Sequence, residues 1–154
     1  MDRRDVLKLV ALTVAVASTG IGVSSGGELP STLKDQLVAS KYVYIASERK
    51  GGGFSKPAEI WFFYYQDAVW VGTPSTTWRA KRIKAGRRTA KIAVGSLGGP
   101  SFEATGEFVK DPTVYEKMFE TYAKKYPDGW PKFEQKFRDG FKDGSRVLIK
   151  YTPK

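Results

Sequence analysis

Glu59-Ile60-Trp61-Phe62-Phe63-Tyr64-Tyr65-Gln66-Asp67-Ala68-Val69-Trp70-Val71-Gly72-Thr73 is the stretch that decides the fold. From Ile60 to Tyr65 six consecutive positions are apolar or aromatic, so a strand here buries both of its faces. Gln66-Asp67 then separates it from a second β-type run, Ala68 to Thr73, and two residues between strands make a tight hairpin. Working outward, Tyr42 to Ser47 and Thr89 to Val94 are β-branched and aromatic runs of strand length. Phe102, Ala104, Gly106 and Phe108 alternate with Glu103, Thr105, Glu107 and Val109, a half-exposed strand of period two. Val147, Ile149 and Tyr151 alternate with Leu148, Lys150 and Thr152 in the last one.

Helical segments interrupt the strands. Thr32 is placed to cap a short helix over Leu33 to Ala39, with Asp35 three residues on. Ser75 to Ala85 reads as a helix stopped by Gly86. Asp111 caps another whose first residue is Pro112, with Val114, Met118, Phe119 and Tyr122 at helical spacing and an end before Pro127. Pro131 opens a shorter helix carrying Phe133 and Phe137 and ending near Gly140. The expected fold is mainly β: a six-stranded antiparallel barrel with flanking helices, its strands near 41–47, 58–66, 68–73, 88–95, 101–110 and 146–152. The second face of Ile60 to Tyr65 is expected to lie under a partner subunit or a ligand.

The chain contains no cysteine and no histidine. Disulfides, thiolate or imidazole metal sites and a Ser-His-Asp triad are thereby excluded, and no metal is expected. The formal charge is +10, and taking away residues 1–27, with three basic and two acidic side chains, leaves +9. Such a surplus favours an anionic partner. Part of it is concentrated, since Arg79, Lys81, Arg82, Lys84, Arg87, Arg88 and Lys91 fall within 13 residues.

The first residues carry a different message. Arg3-Arg4 precede Asp5-Val6-Leu7-Lys8, a mildly apolar run from Leu9 to Val23, and Ser24-Ser25-Gly26-Gly27. This series resembles a bacterial twin-arginine export signal, which implies export of an already folded domain to the periplasm or outside by the twin-arginine machinery. The expected division is a leader and linker at 1–27 and a single domain at 28–154. At 15 residues the apolar run is below the roughly 18 of a spanning helix. An ordinary secretory leader, or an uncleaved leader acting as a membrane anchor, is the alternative. Ala15-Val16-Ala17 and Ser24-Ser25 both offer cleavage positions.

Thr73-Pro74-Ser75-Thr76-Thr77-Trp78-Arg79 runs from a strand end into a helix start, with four hydroxyl side chains and a guanidinium one turn inside. Free backbone N–H groups, hydroxyls and arginine together suit a phosphate. The bland alternative is a capped helix with a solvated basic face. Trp78 is placed either to stack on a planar ligand or to pack in the core or an interface.

Gly53-Phe54-Ser55, Ile60-Trp61-Phe62, Asp67, Thr73, Thr77-Trp78-Arg79, Ile83 and Gly86-Arg87-Arg88, in that order, are similar to the motif series of the pyridoxamine 5′-phosphate oxidase-like split barrels. The similarity runs from about Lys34 to Lys154 and includes the final strand, Arg146 to Pro153. It implies a Greek-key split barrel that binds FMN or, alternatively, the deazaflavin coenzyme, as a homodimer with ligand between subunits. Thr77 stands at the family's phosphate-binding Ser and Arg79 at its phosphate-binding Lys, where arginine adds a fork. Thr73 stands at the Thr near the flavin, Arg49 and Lys50 near the basic residue of the first hairpin, and Trp61 and Phe62 on the strand against which the ring lies. With Ser75 and Trp78, these are the candidate cofactor-binding residues; none is assigned as catalytic.

The departures limit what can be carried over. Glu59 replaces the usual Pro, Gly86-Arg87 replaces Asn-Pro, and the Arg-x-His substrate motif of the true oxidase is absent. A flavin-dependent oxidoreductase acting on an unknown small molecule is implied, and the vitamin enzyme's own reaction is not. A non-enzymatic carrier of flavin or another anionic ligand is the alternative. Haem would want an axial His, Cys, Met or Tyr; the first two are absent and Met118 is the only methionine outside the leader. Aromatic residues and the +9 charge fit nucleic acid superficially, but export argues against such a partner.

Overall fold

The computed structural model describes residues 28–154, and the leader reading of residues 1–27 lies outside the described residues. The long aromatic run is not one strand. It divides at Phe62 into β2 (Ala58–Trp61) and β3 (Phe63–Tyr65), which corrects the expected single strand over 58–66 and raises the count from six to seven. The reason lies in the pairing. β2 pairs antiparallel with β1 (Tyr42–Ser47), whereas β3 pairs with β4 (Ala68–Pro74). β5 (Thr89–Val94), β6 (Ser101–Val109) and β7 (Arg146–Pro153) complete one antiparallel sheet of order β2-β1-β5-β6-β7-β4-β3. Its two edges are halves of one continuous segment, so the sheet closes nearly into a barrel through the bend at Phe62.

Backbone polar groups freed by such a bend must find partners elsewhere. The Phe62 N–H donates to the Tyr126 hydroxyl at 3.1 Å, and its carbonyl accepts from Lys125 Nζ at 2.8 Å. The Tyr126 hydroxyl in turn donates to the Lys41 carbonyl. The end of helix α3 (Pro112–Lys125) therefore bolts the bend in place. Beyond it, Gln66 and Asp67 make the expected two-residue turn, both with positive φ (51° and 57°), the geometry that matches strand twist in a hairpin.

Among the described residues four helices flank the sheet: α1 (Ser31–Ala39), α2 (Trp78–Lys84), α3 (Pro112–Lys125) and α4 (Trp130–Asp143). Asp111 caps α3 as expected, accepting from the Thr113 N–H at 2.9 Å. Thr32 does not cap α1, which begins at Ser31 with Pro30 in the cap position. α4 runs past its expected end because Gly140 is a packing glycine. A Cβ there would stand 2.6 Å from that of Arg146, and the stop comes at Gly144, with φ of 83°.

Alternation along the strands sorts side chains into two cores. Phe62, Val43, Ile45, Val69, Val71, Ile92, Ile149 and Tyr151 fill the barrel. Phe63, Trp70, Leu148, Met118, Phe119, Tyr122 and Trp130 form a second layer between the sheet and α3 with α4. Within the aromatic run Phe62 is buried in the barrel and Phe63 against the helices, whereas Ile60, Trp61, Tyr64 and Tyr65 stay half-buried. Trp61 stacks on Tyr126 with centroids 4.3 Å apart and meets Tyr122 edge-on at 5.7 Å.

Candidate functional site: a cationic cleft in the barrel seam

The β3–β4 register sets Phe63 opposite Trp70. Continued, it would set Trp61 opposite Gly72 and Ile60 opposite Thr73. β2 has instead turned away to β1, and a cleft of about 310 Å³ opens in the seam between Glu59–Trp61 and Gly72–Thr73. Arg79 of α2, Arg146 of β7, and Phe133 and Phe137 of α4 complete its lining. Gly72 is needed here for close approach. A Cβ on it would lie 3.0 Å from both the Phe137 and Phe141 rings, so α4 can lie against β4 only over a glycine.

The polar end of the cleft is a relay of hydrogen bonds. Arg79 Nη1 donates to Thr73 Oγ1 at 3.2 Å, Thr73 Oγ1 donates to Thr77 Oγ1 at 3.3 Å, and Thr77 Oγ1 donates to the Pro74 carbonyl at 3.1 Å. Thr77 also caps α2 by accepting from the Ala80 N–H. α2 begins at Trp78 rather than at the expected Ser75 and is only seven residues long. Thr77 takes up the third N–H of this short helix, and the full positive charge available to an anion is that of the guanidinium. Arg79 Nε is buried without a hydrogen-bond partner. Burial holds the Arg79 guanidinium below its ordinary pKa, opposed by Tyr151 and reinforced by the like charge of Arg82. The Tyr151 hydroxyl is buried without a partner as well, and burial raises its pKa against the pull of Arg79.

Arg146 supplies a second cation. Its Nη1 donates to the Gly72 carbonyl at 3.3 Å, and its guanidinium lies 4.0 Å over the Phe137 ring. Burial lowers its pKa too, opposed by the nearby Tyr122 hydroxyl. Among the described residues neither Arg79 nor Arg146 has a carboxylate within ion-pair distance. Glu59, at the rim, accepts a hydrogen bond from the Tyr44 hydroxyl at 2.8 Å. Two guanidiniums against the single rim carboxylate of Glu59 leave the cleft with a surplus of positive charge, a place for an anion.

Of the residues singled out in the sequence, Thr73, Arg79 and Trp61 line the cleft, and Thr77 stands behind them through its hydroxyl. Ser75 lies in the β4–α2 turn, its N–H donating to the Ser145 carbonyl. Trp78 is 68% exposed, with Lys81 Nζ at 5.0 Å and the Arg82 guanidinium at 5.6 Å from its ring. Arg49 and Lys50 are exposed on the β1–β2 connection, outside the cleft lining. Phe62 is wholly buried inside the barrel, so within Trp61-Phe62 only Trp61 faces the cleft. Arg146, Phe133, Phe137 and Gly72 were not identified as site residues from the sequence. A basic residue opening a strand looks like any solvated charge, and Phe133 with Phe137 look like the core stripe of a helix. Only the pairing of Pro74 with Arg146 brings that arginine to the seam.

Among the described residues no three carboxylate, imidazole or thiol groups gather as a metal site, and no helix is long and apolar enough to cross a membrane. At the level of sequence, no family model and no curated protein matches the chain. Solved structures do match its fold. A candidate pyridoxamine 5′-phosphate oxidase from Listeria innocua superposes with a TM-score of 0.57 at 13% identity, covering 80% of this chain and 92% of that one. The haem storage protein HutZ from Vibrio cholerae gives 0.58 at 12% identity, over 80% and 89%. An F420 reductase gives 0.50 at 19% identity, over 78% and 92%. At such identities the likeness is one of architecture, and the architecture of this chain is that of the pyridoxamine 5′-phosphate oxidase-like split barrels.

Proposed function

We propose that the chain binds a phosphorylated flavin, FMN or alternatively the deazaflavin coenzyme F420, with its phosphate at Arg79, Thr73 and Thr77, and serves as an exported oxidoreductase. The observation that carries this is the half-buried Arg79 guanidinium: anchored to Thr73 by one N–H, with Nε buried and unpartnered and no carboxylate beside it. A phosphate in the cleft would meet the remaining Nη donors of this guanidinium, and charge-assisted bonds of that kind are about twice as strong as neutral ones. The fold, shared with an F420 reductase, supports the choice of ligand class. A homodimer that completes the ring's enclosure belongs to this reading, as does an export leader at residues 1–27.

When bound, a flavin supplies hydride transfer through its ring. The protein's own part would be positional. Thr73 holds Arg79 in place, Thr77 fixes the Thr73 hydroxyl, and Trp61, itself fixed by stacking on Tyr126, gives one apolar wall. No acid or base is required of the chain for such a transfer, which agrees with the absence of histidine. The donor set argues against the carrier alternative with haem. His and Cys are lacking and Met118 is fully buried between α3 and the sheet, which leaves tyrosine alone of the usual axial donors.

The test is a comparison of FMN, F420 and riboflavin by quenching of ring fluorescence, with the mass of any ligand released on denaturing protein made in its native host. Binding of FMN or F420 that far exceeds riboflavin and falls at least tenfold in Arg79→Ala is the expected result. Riboflavin binding as tightly as FMN would remove the phosphate from the argument.

A further inference from the structure

The cleft holds two cations, and the phosphate reading uses only one. Arg146 is set apart from Arg79 by its surroundings. Arg79 is held by a hydroxyl at the barrel end, whereas Arg146 reaches the seam from the outer face, beneath α4, with its guanidinium over the Phe137 ring. Of the five donors on that fork, one is used, on the Gly72 carbonyl at the long distance of 3.3 Å. Beside it Phe133 is 40% exposed, an aromatic ring left open at the mouth of the cleft next to Trp61. Trp61 and Phe133 meet edge to face with centroids 5.8 Å apart.

We infer that this outer half of the seam is a separate subsite for the substrate, built for a planar aromatic carboxylate whose charge meets Arg146 and whose ring rests against Phe133 and Trp61. The inference deepens the flavin reading by naming the substrate class at the same cleft. Three features carry it. The guanidinium held over Phe137 is oriented before any ligand arrives, so its free edge can accept a carboxylate in bidentate fashion. Two like charges in one cleft favour occupancy by two anions, or by one ligand with two anionic ends. Exposed aromatic surface beside a fixed polar group is the usual lining of a small-molecule site, in which a few polar contacts orient an otherwise apolar ligand.

Separate titrations of the purified chain with inorganic phosphate and with benzoate, followed by calorimetry at constant ionic strength, test the assignment. Benzoate is expected to bind whether or not phosphate is present. Its affinity should fall at least tenfold in Arg146→Met and severalfold in Phe133→Ser, while phosphate affinity changes less than threefold in both. Arg79→Met should do the converse. Arg146→Lys, which keeps the charge but not the fork, should lose most of the benzoate affinity and guards against a variant that merely misfolds. Benzoate binding that survives Arg146→Met, or that phosphate displaces competitively, would overturn the separate subsite. Failure of phosphate to bind, with benzoate still bound through Arg146, would sink the flavin-phosphate reading instead and leave this one standing.

Discussion

Replacing Arg79 with Met separates the cost of the site from its use. The side chain keeps its length and its apolar stem, but the charge and the orphaned Nε disappear. Arg79 makes one hydrogen bond, to Thr73, and leaves Nε buried and unpaired. A hydrogen bond to a charged group contributes about 1.5–3 kcal/mol, whereas an unsatisfied buried donor costs about 1–3 kcal/mol and more when it is charged. The partial burial of a cation without a counter-charge adds to the cost side, and Thr73 stays satisfied through Thr77. The two ranges nearly cancel, so the uncompensated burial decides the sign: Met should match wild type or exceed it by up to about 1 kcal/mol, a Tm gain of at most roughly 3–5 °C. Phosphate should put the wild type ahead. A ligand that binds only the folded state at about ten times its Kd adds RT ln 11, about 1.4 kcal/mol, to the wild-type chain and nothing to the variant. Thermal unfolding in chloride and in phosphate of equal ionic strength, with Lys84→Met as the control on the same helix, measures both effects. A variant less stable than wild type in chloride, or one still stabilised by phosphate, would refute the claim that Arg79 is an unpaired cation awaiting an anion.

Gly72→Ala should destabilise the fold by about 1–3 kcal/mol, the usual cost of overpacking, because the new methyl meets the Phe137 and Phe141 rings at 3.0 Å; an unchanged Tm would mean that α4 is free to shift. Burial lowers the Lys125 ammonium from 10.5 to about 7. Between those values the unfolded chain holds the extra proton, so stability should rise with pH across that window and be flat from this source below it. Lys125→Met should remove that rise, and parallel wild-type and variant curves between pH 7 and 10 would show that the lysine is solvated. The proposed export leader is tested by changing Arg3 and Arg4 to Lys, which keeps the positive charge but not the guanidiniums. The folded protein should then accumulate inside the cell, and normal amounts outside on fractionation would indicate an ordinary secretory leader.

Much of the architecture is local in origin and was legible for that reason. Strand period, the Gln66-Asp67 hairpin, the Asp111 cap with Pro112 and the Gly86 stop depend on residues within a few positions of one another. So do Thr73, Thr77 and Arg79, which sit on one strand–turn–helix unit and meet there, while Ser75 stays in the turn. Excluding imidazole and thiolate chemistry needed only the composition. The division of the aromatic run at Phe62 was not legible, because nothing within Ile60 to Tyr65 distinguishes a residue that pairs with β1 from one that pairs with β4. Partners distant in the chain, Tyr126 and Lys125, satisfy the backbone of the bend and so decide where it falls. The same division creates the cleft, and with it the roles of Gly72, Phe133, Phe137 and Arg146. Each belongs to an element whose own pattern says only core, turn or surface. Which of them face one seam is decided by strand register and by α4 lying on a glycine, properties that exist only once the sheet has closed.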